Sequence, residues 1–425
     1  MIGGVVGGVV GTAAVARTVS QDVFATYLVA NTAFIITPLV AELGLSRNSI
    51  RHIATLNATD RHDEALSYSR SVITACAMVT PLTCLVAATL VLVSSPANPL
   101  AVVLCLWASL VLETLRVAVG NVLLGHERQG WAAFATYQPR VVVTAVVFGL
   151  LAISGASLDL VDLLLVILVT QIVLTVATLP PLRTYYAVRP AHDLPFRQLV
   201  GEGLPFLGFD LGNFVLARSD IWIAAAVLVT AADRAGYGAA STLASQLVLP
   251  MVIPMLVASP IVRSLWVEHR TAELSNLVRG VASLASAVAF VAFGALAVFG
   301  AQVLGFIYGD DFSSASGWLA ILMVGSFVVV YTGASGHVHV MCVGPRQACV
   351  VNLIWAGIGV VLMWTSASLF GATGLAVAST ATIAGLNITQ VILVWRQTGI
   401  MTLPTLRPGP AIRSLRGERD ALSAA

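Results

Sequence analysis

The sequence predicts an all-α integral membrane protein of about twelve transmembrane helices, in two six-helix lobes around a central cavity. Three observations predict it. Hydrophobic residues make up 58% of the 425-residue chain and charged residues 10%, with a mean hydropathy of +0.92, a balance that no soluble globular domain carries. Twelve apolar runs are long enough to cross a bilayer. The 22 basic residues, all arginine, fall on alternate gaps between those runs.

The runs fall near 1–16, 23–43, 71–94, 99–124, 131–154, 158–180, 204–229, 236–258, 280–308, 315–342, 348–368 and 372–395. The first, MIGGVVGGVVGTAAVA, lacks the charged leader of a signal peptide and is followed at once by another run, so it reads as a helix. Its sixteen residues rise only about 24 Å, short of a ~30 Å hydrocarbon core, so the helix is recessed or starts upstream of Met1. With a cytoplasmic N-terminus, seventeen arginines fall in inner loops and tail: Arg47, Arg51, Arg61, Arg70, Arg128, Arg183, Arg189, Arg197, Arg263, Arg270, Arg279, Arg346, Arg396, Arg407, Arg413, Arg416 and Arg419. Only Arg17 and Arg234 fall outside, and Arg116, Arg140 and Arg218 lie within runs. Basic residues near span ends stay cytoplasmic, which places both termini on the cytoplasmic side.

The two halves repeat. Arg61, Glu64 and Arg70 form R-x-x-E-x5-R before the third run, and Arg270, Glu273 and Arg279 form it before the ninth, 209 residues on. Tyr27 and Tyr237 open the second and eighth runs. Six spans per half give both halves the same orientation, a parallel repeat about an axis normal to the membrane. The expected divisions are 1–200 for the first lobe with its linker, 201–396 for the second, and 397–425 for a basic tail. The hinge is the polar, Pro-rich stretch Pro180–Gly203. The longest inner loops follow spans two and eight. In the first, Ile50, Ile53 and Ala54 oppose Arg47, Asn48 and Arg51, as in a short helix lying in the interface; a solvated connector is the alternative.

Ionisable residues inside spans face a cavity or a partner. By helical rise, Arg116 and Arg140 lie roughly 12–14 Å deep from the inner side on adjacent helices. Glu113 stands one turn from Arg116 and can neutralise one charge, leaving one positive charge over. Paired guanidinium forks suit a phosphate or pyrophosphate. Span seven carries Asp210, Asn213, Arg218 and Asp220. Arg218 and Asp220 lie on nearly opposite faces, so the helix cannot hide all its charges on one neighbour. Asp220 reads as a proton or sodium site, or as the counter-ion of Arg140. The alternative for the whole set is buried ion pairs that fix helix register.

The remaining features argue against other classes. His337 and His339 lie two apart, on different faces, and make poor metal ligands. Five cysteines (Cys76, Cys84, Cys105, Cys342, Cys349) show no metal or disulfide spacing. Trp107, Trp131, Trp318, Trp355, Trp364 and Trp395 mostly sit near span ends, as interfacial anchors do. No P-loop, HExxH, GxSxG or DxD pattern is present, and the outer loops are too short to build a catalytic domain. No enzyme, cofactor, metal or nucleic-acid partner is expected; the net charge is only +2.

Several segments resemble a known family. Arg17–Tyr27 (RTVSQDVFATY) resembles the R-x-L-G-x-x-x-F-G-x-Y turn between the first two helices of bacterial polysaccharide flippases, with Ser20-Gln21-Asp22 where a glycine is usual. Glu42–Ile53 (ELGLSRNSIRHI) resembles the LGL-x5-R segment that follows. Arg218-Ser-Asp220, Ala235-Gly-Tyr237, Leu304–Phe312 (LGFIYGDDF) and Gly371–Ser379 (GATGLAVAS) fall in the family's order. The resemblance is to the oligosaccharidyl-lipid (O-antigen, exopolysaccharide) flippases of the multidrug/oligosaccharidyl-lipid/polysaccharide exporter superfamily. It implies transport of a polyprenyl-pyrophosphate-linked oligosaccharide across the bilayer by alternating access, beside polysaccharide polymerase and glycosyltransferases. Arg116, Arg140, Arg218 and Glu113 are then the candidate substrate-binding residues, and Asp220, Asp210 and Asn213 the candidate coupling or counter-ion residues. A multidrug or other small-solute exporter of the same superfamily is the nearest alternative.

Overall fold

The described residues are mostly helical, because apolar runs leave the backbone no partner but itself inside a bilayer. A computed structural model describes residues 2–94, 96–126, 128–135, 138–155, 158–187 and 196–405. Arg189, Arg407, Arg413, Arg416 and Arg419 lie outside the described residues, as do the side chains of Arg47, Asn48, Arg51, Ala54, Arg183, Arg197 and Arg263.

The helices are α1 (Ile2–Thr18), α2 (Gln21–Ala41), α3 (Leu45–Ala58), α4 (His62–Leu90), α5 (Pro99–Gly125), α6 (Gln129–Ala135), α7 (Gln138–Ser154), α8 (Leu160–Ala187), α9 (Phe196–Val227), α10 (Ala231–Ser245), α11 (Leu249–Val267), α12 (Thr271–Tyr308), α13 (Ser316–Tyr331), α14 (Ser335–Val338) and α15 (Pro345–Thr398). Seven described helical stretches are long and apolar enough to cross a membrane. The last of them, α15, holds two of the apolar runs and breaks at Gly371 (φ 61, ψ −148). The fifth, eighth and tenth runs are each divided into two helices, α6 with α7, α10 with α11 and α13 with α14. The protein is therefore an all-α, multi-pass membrane protein of about twelve spans. Among the described residues there is no β-strand.

The chain divides into two compact units, one of Met1–Phe214 with Val229–Ala235 and the other of Val215–Leu228 with Gly236–Ala425. The boundary falls inside α9, which contributes to both.

In the first unit, Ser20 explains the absent glycine before α2. It caps the helix, its hydroxyl accepting from the Val23 amide at 3.4 Å, a service glycine cannot give. The segment after α2 is a helix, α3, and it is docked. Leu45, Ile53 and Leu56 are buried with Tyr68, Val72, Val122 and Leu123 of α4 and α5. Ile53 comes so close to Gly125 that a Cβ there would lie 2.8 Å from the Ile53 Cβ. His126, after α5, ties three elements together: Nδ1 lies 3.1 Å from Asn57 Nδ2 and Nε2 lies 2.9 Å from Ser69 Oγ. The turn between α2 and α3 uses Gly44 at φ +72, and it meets α9 backbone to backbone. A Cβ on Gly44 would fall 2.2 Å from the Gly203 carbonyl oxygen.

The sequence repeat is a structural one. Asp60 (φ 55) and His269 (φ 60) both adopt the left-handed conformation, which only a fixed turn imposes on such residues. The amide of Asp60 donates to the Asn57 carbonyl (3.2 Å) and that of His269 to Trp266 (3.1 Å). Arg61 donates to Leu56 and Arg270 to Leu265, each at 2.9 Å, and Ala65 and Leu274 return to Arg61 and Arg270. Every atom pair recurs 209 residues on. Arg61 and Arg270 then fork onto Glu64 and Glu273, at 2.7 and 2.5 Å and at 3.0 and 2.6 Å. These pairs open α4 and α12 nine residues before their apolar runs begin.

In the second unit the chain after α15 turns back at Gly399 (φ 72) and lies as a short strap over α12 and the end of α13. Ser275 and Arg279 donate to the carbonyls of Met401 (3.4 Å) and Leu403 (3.2 Å). Ser283 Oγ both donates to the Thr405 carbonyl (2.9 Å) and accepts from its amide (2.8 Å). Thr402 donates to the Thr332 carbonyl at 2.8 Å.

Candidate functional site

The first unit gathers the predicted charges into one buried cluster. Glu113 and Arg116 come from α5, Phe134 from α6, Arg140 from α7, Gln171 from α8 and Phe34 from α2. Glu113, Arg116 and Arg140 are 0%, 1% and 5% exposed. Glu113 Oε2 accepts from Gln171 Nε2 at 2.6 Å and lies 2.8 Å from Arg140 Nε. The Arg140 Nε–H is not directed at that oxygen, so the contact is Coulombic by distance without being a hydrogen bond. Arg116 donates Nη1 to the Phe134 carbonyl (3.0 Å) and Nη2 to Gln171 Oε1 (3.2 Å). The guanidinium carbon of Arg140 sits 4.5 Å over the Phe34 ring, a cation–π contact of a desolvated cation.

One expectation changes here. Spacing on α5 pairs Glu113 with Arg116, but the carboxylate goes to Arg140, and Gln171 stands between Glu113 and Arg116 as a bridge. Helical spacing reports neighbours on one helix, whereas this partner arrives from another. Among the described residues of this buried cluster, two guanidinium groups meet one carboxylate.

The second unit holds a separate polar ladder. Tyr237, Ser241 and Ser245 stand at four-residue intervals on one face of α10. Asp220 is buried, with Oδ2 accepting from Tyr237 (3.1 Å) and Ser241 (2.8 Å) and Oδ1 accepting from the Ile221 amide (2.9 Å). Arg218, half-buried, donates to Ser245 at 3.3 Å. Arg218 and Asp220 thus reach the same neighbour despite their opposed positions on the helix, because the long arginine arm curls round to α10. Asp210 and Asn213, half-buried, belong to the first unit, so the four residues of span seven are divided between the units. Within the first unit the carboxylate partner of Arg140 is Glu113.

Sequence reasoning missed Gln171, Phe34 and a third buried carboxylate, Glu42, both of whose oxygens lie 3.2 Å from Asn121 Nδ2. A lone amide in the apolar stretch of α8 was the available signal for Gln171. His337 is exposed and His339 buried, on different faces as spacing indicated. Among the described residues no group of His, Cys, Asp or Glu could hold a metal ion. Trp107 donates to the Pro81 carbonyl at 3.0 Å. Outside the spans, burial and then the nearby Arg128 and His62 lower the His126 pKa to about 4, so this imidazole is neutral near pH 7 and can accept a hydrogen bond at one nitrogen. The Glu64 and Glu273 carboxylates raise Arg61 and Arg270 above the ordinary arginine value.

A protein family described as polysaccharide biosynthesis protein matches residues 2–266. No curated protein sequence matches the chain. Among solved structures, the lipid II flippase MurJ in an inward closed conformation superimposes with a TM-score of 0.66 at 12% identity, covering 97% of this chain and 89% of that one. An inward-facing multidrug resistance transporter of the MATE family, MOP superfamily, gives 0.66 at 12% identity over 93% and 94%. A mutant of VcmN, a MATE transporter of Vibrio cholerae, gives 0.52 at 14% over 93% and 95%. At such identities the likeness is one of fold.

Proposed function

The chain belongs to the polysaccharide biosynthesis protein family, and on that premise we propose that it flips a polyprenyl-pyrophosphate-linked oligosaccharide from the cytoplasmic to the outer leaflet for surface polysaccharide synthesis. The observation that carries the reading is the excess positive charge of the buried Arg116–Glu113–Arg140 cluster. A dry guanidinium pair with one carboxylate between them favours an anion of the phosphate class, and it repels the organic cations that a multidrug exporter handles.

In this mechanism the pyrophosphate enters from the cytoplasmic side against Arg116 and Arg140, with Arg218 as a further contact, while the lipid tail stays in the bilayer. Two six-helix lobes, 1–200 and 201–396, then rock in alternating access and release the head group outside. Asp220, with Asp210 and Asn213, is the place for cation coupling or charge compensation. The protein works in the bacterial inner membrane with both termini cytoplasmic, supplied by glycosyltransferases and feeding a polysaccharide polymerase.

The test is mass spectrometry of lipids from cells lacking the protein. Accumulation of a polyprenyl-pyrophosphate oligosaccharide, shielded from added glycosidase until the inner membrane is opened, is expected. Heightened sensitivity to cationic drugs without such a lipid would move the function to the multidrug branch.

A further inference from the structure

The three buried carboxylates named above are held in different ways. Asp220 accepts three hydrogen bonds on its two oxygens. Glu42 offers both oxygens to Asn121. Glu113 is held by one oxygen alone: Oε2 takes the Gln171 amide and faces Arg140, while Oε1 has no hydrogen-bond partner among the described residues. Its cation is as loosely held. Arg140 meets Glu113 through Nε at 2.8 Å, yet that buried nitrogen makes no hydrogen bond among the described residues, although the side chain is only 6% exposed.

A buried ion pair kept only for structure needs its remaining lone pairs and N–H groups satisfied, or the desolvation cost is not recovered. This pair leaves one donor, Arg140 Nε, and one acceptor, Glu113 Oε1, without hydrogen bonds among the described residues. A planar guanidinium whose buried N–H finds no aligned acceptor suits a bidentate anion. From this we infer that Glu113 is a resident counter-ion, and that an incoming phosphate-type anion displaces it from Arg140. The carboxylate keeps Arg140 neutralised while the site is empty and lowers the site's affinity for the anion. Gln171 retains the carboxylate nearby through Nε2, so that it can return when the anion leaves. The inference rests on the proposed anion site at Arg116 and Arg140.

The consequence is counter-intuitive for a residue inside a binding cluster: removing its charge tightens binding. The probe is inorganic pyrophosphate, titrated into the purified full-length protein in detergent micelles. Glu113→Gln keeps the side chain's shape and removes the competing charge, and should bind about ten- to hundredfold tighter than wild type, the worth of one close buried charge contact. Glu113→Asp draws the carboxylate back by one methylene and should give a smaller gain; it also serves if the glutamine variant does not fold. Arg140→Gln should lose binding. If Arg140→Gln loses binding but both Glu113 variants bind at or below wild-type affinity, the anion site stands and the counter-ion role is overturned. If binding is indifferent to Arg140 in every background, the anion site itself falls, and the counter-ion with it.

Discussion

Replacing Gly44 by alanine probes how closely the turn after α2 is fitted to α9. Gly44 has φ +72, where a Cβ costs about 1–2 kcal/mol. That Cβ would also lie 2.2 Å from the Gly203 oxygen and 2.7 Å from the Leu207 nitrogen. Both are backbone atoms that cannot rotate aside, and such overpacking costs a further ~1–3 kcal/mol. Two other glycines separate the contributions. Gly155 shares the conformation (φ +71) with nothing within 4 Å, so Gly155→Ala isolates the backbone cost. Gly203 is helical, and its Cβ would meet the Leu43 oxygen at 2.1 Å. Gly203→Ala therefore isolates the contact, partly offset by about 1 kcal/mol of helix propensity. Gly44→Ala should lose the most, about 2–5 kcal/mol. At about 2–4 °C per kcal/mol for a unit of this size, it should melt clearly below Gly155→Ala. The assay is the melting temperature of each purified variant in one detergent. Equal melting of Gly44→Ala and Gly155→Ala would refute the argument that the close approach carries energy.

Gln171→Leu removes a hydrogen bond from each of two charged partners and should destabilise by about 3–6 kcal/mol, read as a large drop in melting temperature; a leucine tolerated without loss would show that the bridge is dispensable. His126 has its pKa lowered to about 4 from the ordinary 6.5. The unfolded chain therefore takes up a proton that the folded one refuses, and stability falls as pH drops from about 6.5 toward 4; His126→Gln should flatten that slope in a thermal-shift pH series. By contrast, Glu64→Gln and Glu273→Gln break exposed pairs and should each cost under about 1 kcal/mol, less still in high salt. A loss of several kcal/mol in either would mean that the repeated turn depends on its arginine fork.

The spans were legible because a bilayer imposes a length and a polarity that single runs reveal. The repeated R-x-x-E turn was legible from its charges, and its backbone proved alike down to individual hydrogen bonds before α4 and α12. What the sequence concealed were choices made between helices. Glu113 and Arg116 are neighbours in spacing, yet Arg140 takes the carboxylate, and Gln171 attracted no notice because an uncharged amide barely alters the hydropathy of its run. Arg218 and Asp220 point apart on a helical wheel, but a wheel ignores the reach of an arginine side chain. Loop or helix was undecided for α3, since its burial depends on α4 and α5, which no local window contains.

The strap after α15 bears on how this protein can be labelled. Four of its five anchoring bonds use main-chain atoms of Met401, Leu403 and Thr405, so at those three positions the path matters more than the side chain. A reporter domain joined at Thr398 would discard the strap and uncover Ser283 and the Thr332 carbonyl, whereas one joined beyond Thr405 leaves them covered. Fusions at those two points, only a few residues apart, should therefore differ in yield and folding, and a sidedness map drawn from the first would describe a damaged second unit.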